Sequence, residues 1–78
     1  MTPEAKVKAA IRKVLDALAP DLWYFMPAMN GYGKRGVPDF VGCYHGKFFA
    51  IEAKSVTGAV TPWQERTLHD IVEAGGKA

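Results

Sequence analysis

A hairpin with a two-residue turn is the feature that most constrains this fold. Two largely apolar runs, residues 37–44 and 47–54, flank the dipeptide His45-Gly46, which suits a tight turn. If that dipeptide forms the turn, the numbers of paired residues sum to 91, and Asp39 faces Glu52. Directly opposed residues project from the same side of a sheet. The sequence therefore predicts two adjacent carboxylates at the open end of the hairpin.

Opposed carboxylates predict a metal site. They repel each other several-fold more strongly in a partly buried setting than in water, and a divalent cation removes that repulsion. Oxygen ligands favour Mg²⁺, with the carbonyl of Ala53 as a third protein ligand. Lys54 shares the side of Glu52 because strand side chains alternate, so it would orient or deprotonate a metal-bound water. Alternatively, Pro-Asp and Glu-Ala-Lys are merely structural, and a one-residue register slip would separate the carboxylates.

Two amphipathic helices are expected to enclose the strands. The first begins after Thr2, with Pro3 at its first position. The second opens with a capping box between Thr61 and Gln64 and stops at the glycine pair 75–76. The predicted inward stripes are Val7, Ile11, Val14, Leu15 and Leu18 in the first helix, and Gln64, Leu68, Ile71 and Val72 in the second. The first helix also carries a basic flank that is expected to be solvated or, alternatively, to contact DNA phosphates; it comprises Lys6, Lys8, Arg12 and Lys13.

The remaining segments complete an α-β-β-β-α order in a single domain over residues 1–78. Residues 22–26 form a short apolar run that predicts a buried strand, and the glycine-rich residues 30–36 predict a loop. The net charge of +2 neither indicates nor opposes a nucleic-acid partner. The single cysteine, Cys43, excludes an internal disulfide and is expected in the core. No signal peptide or long apolar run is found, so we expect a soluble cytoplasmic protein with no membrane partner.

Glu4 and Gln64 are further candidates for the same site. Glu4 lies seven residues before Ile11, which places it in the apolar stripe of the first helix. Either it is an acid favoured by the helix dipole in the first turn, or it is aimed at the metal, directly or through a water. Gln64 is explained by the capping box, yet its inward phase also lets it reach a site beside the sheet.

These residues resemble the virus-type replication-repair nuclease (VRR-NUC) domain of the PD-(D/E)xK nuclease superfamily. The resemblance covers essentially the whole chain. Its motifs are "GVPDF" at residues 36–40, "IEAK" at 51–54, "TPWQ" at 61–64 and "EAGG" at 73–76, after a helix that carries Glu4. It implies a restriction-endonuclease-like α/β core of order α-β-β-β-α(-β), with a mixed sheet flanked by two helices. Only two residues follow the glycine pair, so we expect the final strand to be short or missing.

The resemblance also implies an activity, which is metal-dependent hydrolysis of DNA phosphodiesters. Asp39 and Glu52 would hold Mg²⁺ or Mn²⁺, Lys54 would assist the water, and Glu4 and Gln64 would lie beside the metal. Similar standalone members resemble Holliday-junction resolvases, which act as homodimers on branched DNA; the compartment would be the cytoplasm of a bacterium or of a phage-infected host.

A DNA-binding surface is predicted beside the metal strand. Lys34 and Arg35, on the glycine-rich loop, are placed to contact phosphates, and backbone contacts carry no sequence information. Tyr32 or Trp63 would stack on an unpaired base or would simply pack. The alternative functions are a non-catalytic DNA-binding module with a nuclease-like fold and a small domain with a structural cation.

Overall fold

The computed structural model describes residues 1–28 and 35–78. The predicted contacts of Lys34 and Tyr32, and most of the predicted glycine-rich loop, lie outside these residues. The described elements are α1 (Pro3–Ala17), β1 (Leu22–Phe25), β2 (Phe40–Tyr44), β3 (Lys47–Ile51) and α2 (Pro62–Glu73). The predicted order α-β-β-β-α is confirmed, and the fold is a small α/β arrangement of a helix, a three-stranded antiparallel sheet and a helix.

The hairpin forms with the predicted turn and register. His45 and Gly46 have φ angles of 49° and 80°, and two consecutive left-handed residues are typical of the type I′ turn that suits a hairpin. Phe40 pairs with Ile51, and every pair along β2 and β3 has residue numbers that sum to 91. The strands are shorter than predicted, so the ladder ends one step before Asp39.

A mixed sheet is expected from the resemblance, whereas the three named strands form an antiparallel sheet. Its strand order is β1-β2-β3, and both neighbouring pairs are antiparallel. The parallel pairing found in the described part of the chain is a single bridge between Lys77 and Phe49. Its hydrogen bonds run from the Ala50 N–H to the Lys77 carbonyl and from the Lys77 N–H to the Phe48 carbonyl, each 2.9 Å long. This bridge lies on β3, after α2, where the short final strand was expected.

The starts of both helices and the end of α2 match the local signals predicted from the sequence. Thr2 caps α1 by accepting a hydrogen bond from a first-turn amide. In α2 the Gln64 N–H donates to the Thr61 hydroxyl oxygen at 3.2 Å, and the Thr61 N–H donates to the Gln64 side-chain oxygen at 2.9 Å. Gly75 follows the helix with φ of 101°, a left-handed conformation that favours glycine. Neither helix has the length and hydropathy needed to cross a lipid bilayer.

The core lies between α1 and one face of the sheet. Phe40 is fully buried, and Leu15, Leu22 and Ala53 pack around it. Two predictions about the other face were wrong. Residues 22–26 are not buried throughout, since the side chains alternate and leave Trp23 66% exposed; Cys43, expected in the core, is exposed. The physical reason is that α2, which contacts β3, has no buried residue with which to cover that face.

Some members of the predicted helix stripes are also exposed. Val14 of α1 is 61% exposed and Val72 of α2 is 54% exposed, whereas Val7 and Ile11 pack against the core as predicted. Val14 and Val72 each lie one position away from a better-packed neighbour, whereas Leu18, which is 39% exposed, lies just after the last residue of α1. The stripes that contact the sheet are therefore narrower than the sequence pattern suggests.

Candidate functional site

The two predicted acids are held together by crossed hydrogen bonds just beyond the ladder of β2 and β3. The Asp39 N–H donates to Glu52 Oε2 at 3.1 Å, and the Ala53 N–H donates to Asp39 Oδ2 at 2.9 Å. Each carboxylate thus accepts a hydrogen bond from the backbone of the opposite strand. The side chains continue the pairing where the regular ladder has ended, so the hairpin register fixes both carboxylates.

Glu52 Oε1 is contacted from two further directions. The Gln64 side-chain N–H donates to it at 2.6 Å, and Lys54 Nζ lies 3.5 Å away. The other end of the Gln64 amide accepts the hydrogen bond from Thr61 that completes the capping box. Gln64 therefore makes both contacts that the sequence left open, because α2 begins beside the site and its first turn orients the amide.

Glu4 is joined to the paired acids through Lys54. Its carboxylate lies 3.8 Å from Lys54 Nζ, and its side chain remains 45% exposed. Within residues 1–28 and 35–78, no three acidic, histidine or cysteine side chains are grouped so that they could hold a metal ion. Lys54 contacts the carboxylates of both Glu4 and Glu52, and the role of Glu4 at a metal, directly or through a water, stays a prediction.

Lys8 is a site residue that sequence reasoning missed. Its ammonium lies 3.5 Å from Asp39 Oδ1, and its side chain is only 32% exposed, whereas the sequence reading placed it in the solvated basic flank. A signal was present, since Glu4, Lys8, Ile11 and Leu15 are spaced by four, three and four residues. That spacing places all of them on one helix face, which is the face that packs on the sheet.

Burial and charge act together on Glu52. Its side chain is only 4% exposed, and this desolvation is the largest cause that raises the pKa of its carboxyl group; the nearby charge of Asp39 raises the pKa further. The hydrogen bond from the Asp39 amide and the charge of Lys54 act in the opposite direction and lower it. The raised pKa means that the hydrogen bond from Asp39 and the charge of Lys54 do not fully offset the cost of burying the charged carboxylate of Glu52.

The donor set suits a hard divalent cation. Each carboxylate oxygen of Asp39 and Glu52 has two lone pairs, and one polar contact per oxygen leaves capacity for a metal, although Glu52 Oε1 carries two contacts. Three acids, Glu4, Asp39 and Glu52, face two lysines, Lys8 and Lys54, which leaves a net charge of −1 in the cluster. Ala53 contacts Asp39 through its amide; ligation by its carbonyl stays a prediction.

The predicted DNA contact Arg35 lies beside α2. Its guanidinium carbon lies 5.3 Å from the centre of the Trp63 ring. Gly36, the next residue, has φ of 72°, and a Cβ atom there would lie 2.4 Å from the Trp63 carbonyl oxygen. The backbone that leads to Asp39 is therefore in direct contact with the first turn of α2, and only glycine permits this approach.

Comparisons with known proteins supply no family. No family model matches the chain, and no curated protein or solved structure is significantly similar to it. The resemblance to VRR-NUC nucleases therefore rests on the sequence motifs, and the function has to be argued from the site.

Proposed function

We propose that this protein is a Mg²⁺- or Mn²⁺-dependent endonuclease that hydrolyses phosphodiester bonds in branched DNA, as Holliday-junction resolvases do. The observation that carries the proposal is the crossed pair of Asp39 and Glu52, with Lys54 at the same carboxylate. Burial and the adjacent charge of Asp39 raise the pKa of Glu52, so the charged pair is costly to the fold. A bound divalent cation would remove the repulsion between the two carboxylates and would therefore stabilise the folded protein.

Each residue has a distinct role under this proposal. Asp39 and Glu52 would hold the cation, which would supply Lewis acidity and an activated water. Lys54 would position the water and stabilise the negative charge that develops on the phosphate. Gln64 would fix the orientation of Glu52 through its 2.6 Å contact, and Glu4 would in turn orient Lys54.

The substrate and the partner follow from the resemblance together with the charges. Arg35, with Lys34 from the sequence prediction, would contact the phosphate backbone and so favour DNA shape over sequence. We expect two copies of the chain to act together, because a four-way junction offers two symmetry-related strands. Sedimentation of the protein with and without a junction tests whether a homodimer forms.

The test is cleavage of labelled four-way junction, flap and linear duplex DNA with Mg²⁺, with Mn²⁺ and with a chelator. Asp39→Asn is the matched control, because it removes one charge from the site and keeps an acceptor for the Ala53 amide. Metal-dependent cleavage of the junction that is lost in Asp39→Asn supports the proposal. Equal cleavage of all three substrates would keep the nuclease and remove the junction preference.

A non-catalytic DNA-binding module is the second candidate, and one observation favours it. Lys8 and Lys54 already lie 3.5 Å from Asp39 and Glu52 respectively, so each acid has a cation partner without any metal. In that case DNA binding would be unaffected by a chelator, no substrate would be cut, and Mn²⁺ would not raise the melting temperature.

A further inference from the structure

A groove on the outer side of α2 is separate from the paired acids. It has a volume of about 450 Å³ and is lined by Arg35, Trp63, Arg66, Thr67 and Asp70. Small-molecule sites in proteins have volumes of roughly 300–1,000 Å³, so the groove has room for a nucleotide-sized group. Two arginines and an indole within one groove are the side chains that bind phosphates and stack on bases.

Trp63 presents its ring to this groove. Its side chain is 58% exposed, so it adds little to the core, contrary to a packing role. The guanidinium of Arg35 lies 5.3 Å from the ring centre, a cation–π distance that orients both groups. Because the Arg35 guanidinium lies over one face of the indole, an unpaired base would stack on the opposite face, and every base has a π-face to offer.

Arg66 adds a positioned cation. Its Nε–H donates to Asp70 Oδ1 at 3.2 Å, one helical turn away, and its side chain is 77% exposed. A guanidinium carries five N–H donors, so this pair leaves the terminal nitrogens able to contact a phosphate. Asp70 neutralises one charge of the groove, and Arg35 and Arg66 together leave it with a net charge of +1.

The groove is close to the paired acids along the chain and through contacts of α2. The Thr67 hydroxyl lies 3.0 Å from the Trp63 carbonyl oxygen, to which it donates, and 3.5 Å from the Arg35 carbonyl oxygen. Four residue steps separate Arg35 from Asp39, and an extended chain of that length spans at most about 14 Å. At roughly 3.4 Å of rise per nucleotide, a nucleotide in the groove would lie within about four positions of a phosphate at the acids.

We propose that this groove binds one unpaired nucleotide of a single-stranded DNA segment, with the base on Trp63 and its phosphate at Arg66 and Arg35. This inference rests on the proposed function, which it deepens by naming the part of the substrate that is recognised. A base inside a duplex is stacked on its neighbours and has no free face to offer. The groove therefore selects single strands and branched DNA that carries unpaired nucleotides, such as a flap, over linear duplexes and four-way junctions whose bases are all paired.

The test measures binding in a chelator, so that no strand is cut. Trp23→Phe leaves Trp63 as the sole tryptophan, and its fluorescence reports on the groove. We expect an eight-nucleotide oligothymidylate to quench that fluorescence and a blunt duplex of equal charge to quench it far less. By anisotropy of a labelled oligonucleotide, Trp63→Leu should weaken binding by about 5- to 100-fold, with the fold of each variant checked by circular dichroism.

Arginine variants separate the groove from general electrostatics. Arg66→Ala should weaken binding several-fold and reduce the slope of log K against log salt by about one. The control Arg12→Ala removes an equal charge from the exposed surface of α1 and should change binding by less than twofold. The inference is overturned if no quenching occurs while the oligonucleotide binds, if Arg12→Ala and Arg66→Ala are equivalent, or if the duplex binds as tightly.

The outcome is distinguishable from that of the nuclease test. Quenching and a Trp63 effect in a protein that never cuts DNA would support the groove and refute the nuclease. Metal-dependent cleavage that is unaffected by Trp63→Leu and Arg66→Ala would support the nuclease and overturn the role of the groove.

Discussion

Two substitutions of Asp39 test what holds the paired acids in place. Asp39→Asn keeps a side-chain oxygen that can accept the hydrogen bond from the Ala53 amide, which is 2.9 Å long in the native protein. Asp39→Ala removes that acceptor. Both changes abolish the ion pair with Lys8 and the repulsion with Glu52, so these contributions cancel when the two variants are compared.

The difference between the variants then reports mainly on one part-buried hydrogen bond. Ala53 is only 2% exposed, so its amide has no water to replace the lost acceptor in Asp39→Ala. A buried donor without a partner costs about 1–3 kcal/mol. We therefore expect Asp39→Ala to be less stable than Asp39→Asn by that amount. For a domain of this size, each kcal/mol lowers the melting temperature by about 4–8 °C.

Urea denaturation in a chelator measures the difference in free energy of unfolding, and amide hydrogen exchange at Ala53 localises it. The Ala53 amide should be protected in Asp39→Asn and should exchange faster in Asp39→Ala. A difference below about 0.5 kcal/mol, with equal exchange in both variants, would show that the crossed hydrogen bonds do not hold the site. It would also remove the reason for preferring Asp39→Asn as the control in cleavage assays.

Glycine, amide and carboxylate groups around the site give three further expectations. Gly36→Ala should lower the melting temperature more than Gly46→Ala. Both glycines have a positive φ, but only at Gly36 would a Cβ lie 2.4 Å from the carbonyl oxygen of Trp63. Equal losses in melting temperature would contradict that contact. Gln64→Glu keeps the capping acceptor but places another carboxylate beside Glu52, so the free energy of unfolding near pH 8 should fall and should be restored by Mn²⁺. Urea denaturation with and without Mn²⁺ measures both effects. A loss that Mn²⁺ does not restore would point to the helix cap alone. The pKa of Glu52 is raised above its ordinary 4.5 by burial and by Asp39, so folding favours its protonated form. Relative to Glu52→Gln, wild-type stability in a chelator should fall as the pH rises from 4.5 through that raised pKa, and a flat difference between pH 4 and pH 8 would contradict the assignment.

The hairpin and the helix ends could be predicted from the sequence because their signals are local. His45 and Gly46 fix the register through turn geometry, and that register alone brings Asp39 opposite Glu52. The capping box likewise fixes the start of α2 and the orientation of the Gln64 amide within its first turn. Each of these outcomes depends on residues within one hairpin or one helical turn.

The errors concern contacts that depend on how much of each surface is covered. Cys43 and Trp23 have the composition of core residues, but they would be buried only if α2 covered the whole face of the sheet. Instead, α2 contacts β3 and leaves Cys43 and Trp23 exposed. The charge of Lys8 predicts a solvent-exposed side chain, although Lys8 lies on the same helix face as Ile11. A charged side chain on that face can pack towards the sheet when a carboxylate such as Asp39 is there to pair with it. The sequence of the helix alone does not reveal that partner.

The bridge of Lys77 to β3 has a consequence for how this protein avoids aggregation. An exposed strand edge is a template on which a second chain can pair, and β3 would present such an edge in the middle of its length. Lys77 occupies that position with two backbone hydrogen bonds of 2.9 Å and brings a charge to it. Lys77 therefore blocks the middle of the β3 edge against pairing with a second chain.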